Sequence, residues 1–227
     1  MSVDYGIPLE EMCARYRKLY GGPIMDILDR NGLHNQWLHK SIKPLRLDMC
    51  IAGPAVTFLH TTRPKWEGQP PGANLEAAVY PDCIVVVDPG KEQMSGHMGD
   101  ITAHSIWARG AKGVVIDGGI RDSKNQLTIP DWGIFCKFTS PLEQGYRETY
   151  TDVNVPIFMQ GSLSIYVEVH PGDWIFGDSD GVVVVPKDMA LEVLVEAEKI
   201  VERENEARAK MREGVDPREV REKYRVG

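Results

Sequence analysis

Residues 99–122 read GDITAHSIWARGAKGVVIDGGIRD. A glycine and an acid open the stretch, and the pair Arg121–Asp122 closes it. Between them, ITAHSIWARG has a helical pattern stopped by Gly110, and GVVI is an all-apolar strand followed by Gly118–Gly119. A helix running into a buried strand is a building unit of an α/β fold. The charged ends allow two readings. In one, Asp100 is a helix N-cap and Arg121–Asp122 a solvated turn. In the other, the two ends meet at one ligand. A helix start offers free backbone N–H groups to an anion, and charges just past the end of a buried strand stand where α/β proteins build sites. The double glycine lets backbone come close to a ligand.

Working outward, Leu9–Tyr20 and Pro23–Arg30 read as short helices broken at Gly21–Gly22, the second stopped by Asn31–Gly32. CIAGPAVTF (residues 50–58) is a strand in which Pro54 suggests an edge or a bend. The proline-rich segment 61–82 reads as a long loop able to shape substrate choice. CIVVVDPG, from Cys83 to Gly90, and Ile134–Phe138 are further strands. SIYVEV alternates and precedes the turns His170–Asp173 and Asp178–Gly181, which indicates antiparallel pairing. From Asp188 to Glu213 the chain is helical, with one apolar stripe at Ala190, Leu194, Ala197 and Val201. Beyond Val201 that helix is almost wholly charged, so it is either solvated or laid across a neighbouring subunit. Strands and helices mix without strict alternation, which disfavours a plain Rossmann or barrel arrangement.

At 227 residues and 42% hydrophobic content the chain suits one domain with a full core. Its net charge of −7 argues against a nucleic-acid partner, since phosphate binding needs surplus cations. Cys13, Cys50, Cys83 and Cys136 stand singly, without zinc-site spacing, and read as buried thiols in a reducing compartment. No signal core and no run of membrane-spanning length is present, which sets a cytoplasmic location and no membrane partner as the expectation.

Other polar residues are weighed the same way. His97, in the glycine-rich SGHMGD, is a candidate substrate contact, whereas His104 inside the helix suits packing or hydrogen bonding. Asp117 reads as a turn former, and Asp178 and Asp180 as a structural turn too short for a calcium loop. Glu202, Glu204 and Glu206 form a charged helix face.

Taken together, the two ends of the opening stretch give D-x20-R-D, with Asp100, Arg121 and Asp122 at its corners. This resembles the motif of the class II pyruvate aldolases of the 4-hydroxy-4-methyl-2-oxoglutarate aldolase type and of the related RraA proteins, regulators of ribonuclease E activity. ARGAKGVVIDGGIRD, the TSP of Thr139–Pro141, VNVPI, PGDWIFGDSDGVVVVP and the charged C-terminal helix carry the likeness over residues 22–213, leaving 1–21 as a helical extension and 214–227 as a tail. The resemblance implies a single α/β domain of the swivelling β/β/α type with α-β-β-α layers and mixed sheets. It implies homotrimers or homohexamers with active sites between subunits, one of the C-terminal acids completing a neighbouring site. It also implies a divalent metal, Mg²⁺ or Mn²⁺, on Asp122. Arg121 would face the keto oxygen of a 2-oxo acid, Asp100 would orient the basic water, and the N–H groups of Gly99, Asp100, Ile101 and Thr102 would hold the carboxylate. The implied activity is a lyase releasing pyruvate, with oxaloacetate decarboxylation beside it. The alternatives are a non-catalytic regulator binding a ribonuclease, or the same enolate chemistry on another substrate.

Overall fold

The computed structural model describes residues 3–63, 66–67 and 72–226. In chain order the elements are α1 (Leu9–Tyr16), α2 (Gly21–Arg30), β1 (Lys43–Pro44), β2 (Ile51–Thr61), α3 (Leu75–Ala78), β3 (Ile84–Asp88), α4 (Asp100–Ala108), β4 (Gly113–Ile116) and β5 (Gly119–Ile120). They continue with α5 (Ser123–Gln126), β6 (Gly133–Cys136), β7 (Phe138–Thr139), β8 (Thr149–Val153), β9 (Ile157–Gln160), β10 (Tyr166–Val169), β11 (Trp174–Asp178), β12 (Gly181–Val185), α6 (Ala190–Arg212) and α7 (Pro217–Tyr224).

The main sheet is mixed, in the order β1-β6-β4-β3-β2-β11-β12, with β8 also on β2. Its parallel centre, β2-β3-β4-β6, is built from runs such as IVVV and GVVI, buried on both faces as parallel strands require. β11 and β12 form the hairpin expected from the Asp178–Gly181 turn, and β9 pairs antiparallel with β10. Their alternation separates two cores. Ile175, Val182 and Val184 join the cluster under α4, while Trp174, Phe176, Val183 and Val185 face α1, α2 and α6. This α/β, single-domain, swivelling β/β/α arrangement agrees with the fold class read from the sequence.

Two local expectations change. Pro54 lies in the middle of the sheet, not at an edge. It opposes Trp174 of β11, and the parallel ladder to β3 begins only at Ala55, so the missing N–H falls just before that ladder. Gly21–Gly22 begins α2 instead of separating two helices, because Asp178 Oδ2 accepts the Gly21 N–H at 2.8 Å and caps the helix from across the fold. Asp178 is thus a cap as well as a turn residue. α7 folds back along the end of α6 and buries Ala207 and Val220, while the charged side chains of that half, such as Glu202, Arg203 and Glu206, stay exposed. α1 belongs to the second core: Tyr16 is fully buried 4.8 Å from the Trp174 ring and donates to the Ala190 carbonyl at 2.6 Å. Within the proline-rich segment, Pro64, Lys65 and residues 68–71 lie outside the described residues. Among the described residues no helix is long and apolar enough to cross a membrane.

Candidate active site

The site grows from the end of β4. After Ile116 the chain makes the Asp117–Gly119 turn, adds the short β5 beside β7, and reaches Arg121–Asp122. Backbone hydrogen bonds sew this segment to the turn before α4: His97 N–H donates to Gly119 O at 2.8 Å, and Arg121 N–H to Met98 O at 3.1 Å. The buried Gln126 amide donates to both Met98 O (3.1 Å) and Arg121 O (2.9 Å), clamping the two turns from beneath. Glycine is needed where they touch. A Cβ on Gly96 would stand 2.6 Å from Arg121 backbone and Cβ, a contact real side chains do not make.

The result is one cavity of about 240 Å³ lined by Gly96, Gly99, Asp100, Ile101, Thr102, Arg121, Asp122, Glu143, Gln144 and Tyr150. Gly99, Asp100, Ile101, Thr102, Arg121 and Asp122 of the opening stretch all line it. Arg121 Nε donates to Asp122 Oδ2 at 3.1 Å, and Asp122 takes the left-handed conformation (φ 56°), which Asp tolerates better than most residues. A Cβ at Gly99 would lie 3.0 Å from Asp122 Oδ2, so the missing side chain keeps that carboxylate open to a cation or a substrate oxygen. The N-cap of α4 is Gly99, not Asp100, and no side chain caps the helix. Its first N–H groups therefore stay free for an anion. Asp100 is the first helical residue, and its Oδ2 instead accepts from Asn125 Nδ2 at 3.0 Å. His104 bonds the Asp100 carbonyl at 2.7 Å, the hydrogen-bonding role its helical position suggested.

His97 does not line this cavity. It is 2% exposed and lies behind the cavity, where its Nδ1 meets Glu148 Oε2 at 2.9 Å, while His60 Nδ1 meets Glu148 Oε1 at 2.8 Å. Burial drives the His60 imidazole below its usual range, against the upward pull of Glu148. Burial raises the Glu148 carboxyl, but the bonds from His60 and His97 outweigh it and hold the group below its usual range. Both directions describe an ionised Glu148 accepting from neutral His60. Gln144, with its amide nitrogen toward Glu148 Oε1 (2.8 Å) and the His97 carbonyl, accepts the Tyr150 hydroxyl, so the trio supports the cavity wall from behind. One ligand atom from each of His60, His97 and Glu148 lies within 4.8 Å of the others, so this buried group could also close around a metal ion. Asp117 is likewise more than a turn former: it pairs with Lys137 Nζ at 2.5 Å and accepts Gln160 N–H at 2.6 Å. Sequence reasoning missed His60, Glu143, Gln144, Glu148 and Tyr150. A histidine at the end of the apolar AVTFLH strand was the one available signal.

Of the C-terminal acids, Glu204 bonds the Tyr20 hydroxyl and Arg208 within the chain, leaving Glu202 and Glu206 exposed.

A sequence profile of the RraA-like family (Aldolase/RraA) matches residues 23–184. A provisionally named 4-hydroxy-4-methyl-2-oxoglutarate aldolase of Halalkalibacterium halodurans is 31% identical over 194 residues, 83% of each protein. A crystal structure described as one of novel cellulases from gut-associated microbes is 31% identical and superposes with a TM-score of 0.80 over 91% of this chain and 90% of its own. Streptomyces coelicolor RraAS2, described as an unusual member of the RNase ES inhibitor RraA family, shares the fold at 23% identity, with a TM-score of 0.76 over 90% of this chain and all of its own. The chain belongs to the RraA-like aldolase/RraA family.

Proposed function

We propose that this protein is a divalent-metal-dependent carbon–carbon lyase. It cleaves a 4-hydroxy-2-oxo acid to pyruvate and a second carbonyl compound, and decarboxylates oxaloacetate through the same pyruvate enolate. The observation that carries this reading is the convergence of the uncapped α4 N-terminus, Arg121 and Asp122 on one cavity. The aldolase name of the Halalkalibacterium halodurans relative supports it.

The carboxylate of the 2-oxo acid rests on the free N–H groups from Gly99 to Thr102, at the positive end of the helix dipole. Arg121 spends Nε on Asp122, which leaves its terminal NH₂ groups to face the keto oxygen. Asp122 would hold the metal with waters beside it, an all-oxygen set suited to Mg²⁺ or Mn²⁺, which supplies Lewis-acid polarisation when bound. Asp100 keeps one carboxylate oxygen beyond its Asn125 bond and uses it to orient the water that takes the C4 hydroxyl proton. The C3–C4 bond then breaks: the C4 oxygen becomes a carbonyl, and the electron pair passes to C3 as the enolate, which is protonated to pyruvate. Arg121 stabilises the charge that develops on the enolate oxygen. Oxaloacetate releases carbon dioxide instead and reaches the same enolate without a base.

We further propose a cytoplasmic homotrimer or homohexamer with shared sites. Ile101 projects 77% exposed from the cavity rim and Tyr146 is 80% exposed, while Phe158, Leu163, Ile165 and Tyr166 expose an apolar surface on and beside the β9–β10 pair. Apolar patches of this kind are normally covered by another chain.

Pyruvate release from oxaloacetate and from 4-hydroxy-4-methyl-2-oxoglutarate, with Mg²⁺ and with chelator, tests the reading. Metal-dependent pyruvate is the expected result. No pyruvate from either acid at any metal concentration would overturn it in favour of a regulatory binding protein.

A further inference from the structure

We propose that His60, His97 and Glu148 hold a divalent ion of the zinc class, separate from the one at Asp122 and with a structural task whatever reaction the cavity carries out. The ligands come from three distant segments: His60 from β2, His97 from the turn before α4, and Glu148 from just before β8. All three side chains are fully buried, and one ligand atom from each lies within 4.8 Å of the others. The two Nδ1 atoms already converge on the two Glu148 oxygens, at 2.8 and 2.9 Å. Both rings are held in place by their surroundings. His60 stands edge-on to Phe58, 4.7 Å between centroids, and packs on Tyr150 at 4.6 Å. The His97 ring fills space that only glycine leaves open, since a Cβ on Gly118 would lie 2.5 Å from its Nε2. Two imidazoles and a carboxylate are a ligand set for zinc, whereas the oxygen surroundings of Asp122 suit Mg²⁺. A cavity of about 40 Å³ touches Glu148 from the side of Gln144 and Tyr150, with room for a water as fourth ligand.

In the metal-free chain each Nδ1–H donates to Glu148, the hydrogen-bonded form described above. The buried Nε2 of His97 then carries a lone pair, and it faces a second carboxylate, Glu92 Oε2, at 3.7 Å. Two acceptors opposed away from water are costly. An ion removes the conflict. The Nδ1 lone pair goes to the ion, the ring's one proton moves to Nε2, and His97 becomes a donor to Glu92. Glu92 is set for that role, because its Oε1 accepts the Met94 N–H at 3.1 Å and its Oε2 the Ser95 N–H at 2.9 Å. Metal-bound histidines characteristically donate their other N–H to such an oriented carboxylate. The two charges of the ion also match those of Glu92 and Glu148. An extra proton on His97 would answer Glu92 as well, at the cost of a buried imidazolium; ion and proton exclude each other there. The bound ion would pin the turn before α4 to β2 and β8, and with it the free N–H groups that begin at Gly99.

Metal content tests this in the full-length protein, produced in medium supplemented with Zn²⁺ or Co²⁺ and then dialysed. Wild type and Asp122→Ala should each retain about one zinc per chain, and their cobalt forms should show the visible d–d absorption of a four-coordinate ion. His97→Asn and Glu148→Gln should retain none, and Glu92→Gln should bind zinc roughly ten- to a hundredfold more weakly. A wild type that keeps no zinc would overturn the proposal and give the place of the ion to a proton. Zinc lost from Asp122→Ala but kept by His97→Asn would also overturn it, since the ion would then belong to the cavity rim. Should the His97 and Glu148 variants not fold, wild type and Asp122→Ala decide. Retained zinc and a four-coordinate cobalt spectrum in both support the site, and their absence from either overturns it.

Discussion

The rim of the cavity and the polar group behind it are built in opposite ways. At the rim, Arg121 and Asp122 remain about one-third exposed, and their positions come from backbone bonds between two turns. Behind it, the His60, His97 and Glu148 side chains have no solvent exposure and are held by one another. The rim side chains keep hydrogen-bonding capacity free for a ligand, whereas the inner imidazoles spend their Nδ1 atoms on Glu148 and bury Nε2 atoms that have no hydrogen-bond partner among the described residues. Removing a rim residue should therefore cost chemistry, and removing an inner one should cost stability. A buried donor that loses its partner bears the whole desolvation penalty, while an exposed one turns to water.

The largest effect falls on the inner group. Glu148→Ala strands two imidazole N–H donors and opens a cavity, and should lower unfolding free energy by about 3–5 kcal/mol. Urea denaturation measures this, and a loss below about 1 kcal/mol would erase the contrast between the two regions. Next comes Arg121→Lys, which keeps the charge but loses the planar fork. It should reduce kcat for every pyruvate-forming reaction by about a hundred- to a thousandfold with little change in melting temperature. A matching fall in melting temperature would place Arg121 with the structural group.

Acid sharpens the comparison further. Burial keeps His60 neutral in the folded protein, whereas in the unfolded chain it gains a proton near pH 6.5. Unfolding then takes up protons, so the stability contributed by His60 is intact above that pH and declines as pH falls below it. Glu148, also depressed in the fold, adds a second decline below about pH 4.5. His97 and Glu92 adjoin the same group, with His97 Nε2 3.7 Å from Glu92 Oε2. Urea midpoints measured from pH 7 to 4 should fall in wild type, with the upper part of the fall missing in His60→Asn. A flat wild-type profile would contradict this. The smallest stability effect is at Asp100→Asn, which keeps an acceptor for Asn125 and should change stability by no more than about 1 kcal/mol. Aldol cleavage should drop more than oxaloacetate decarboxylation, because only the former removes a hydroxyl proton. Equal losses would remove Asp100 from the base-orienting role.

The two regions also differ in how far they can be read in advance. Asp100, Arg121 and Asp122 lie on one helix-to-strand unit, so a fixed spacing and the strand end locate them together. The apolar runs of β3 and β4 and the β11–β12 hairpin are legible for the same local reason. His60, His97 and Glu148 come from three distant segments, joined only when β2 and β8 pair and the turn before α4 closes. Sequence spacing holds no trace of that meeting. Pro54 and Gly21–Gly22 mislead in the same way, since the partners that accommodate them, β11 and Asp178, lie more than a hundred residues away. α7 packs on the end of α6 through Val220, which lies in a segment too polar to announce a buried face.

The central claim is that Asp122 and its neighbours form a metal-assisted enolate site. Asp122→Ala tests it most directly, with pyruvate release from oxaloacetate followed across a Mg²⁺ titration and the fold monitored by melting temperature. The account predicts loss of turnover that added Mg²⁺ does not restore, with melting temperature close to that of wild type. Near-wild-type, metal-independent pyruvate release by the Asp122→Ala protein would contradict it.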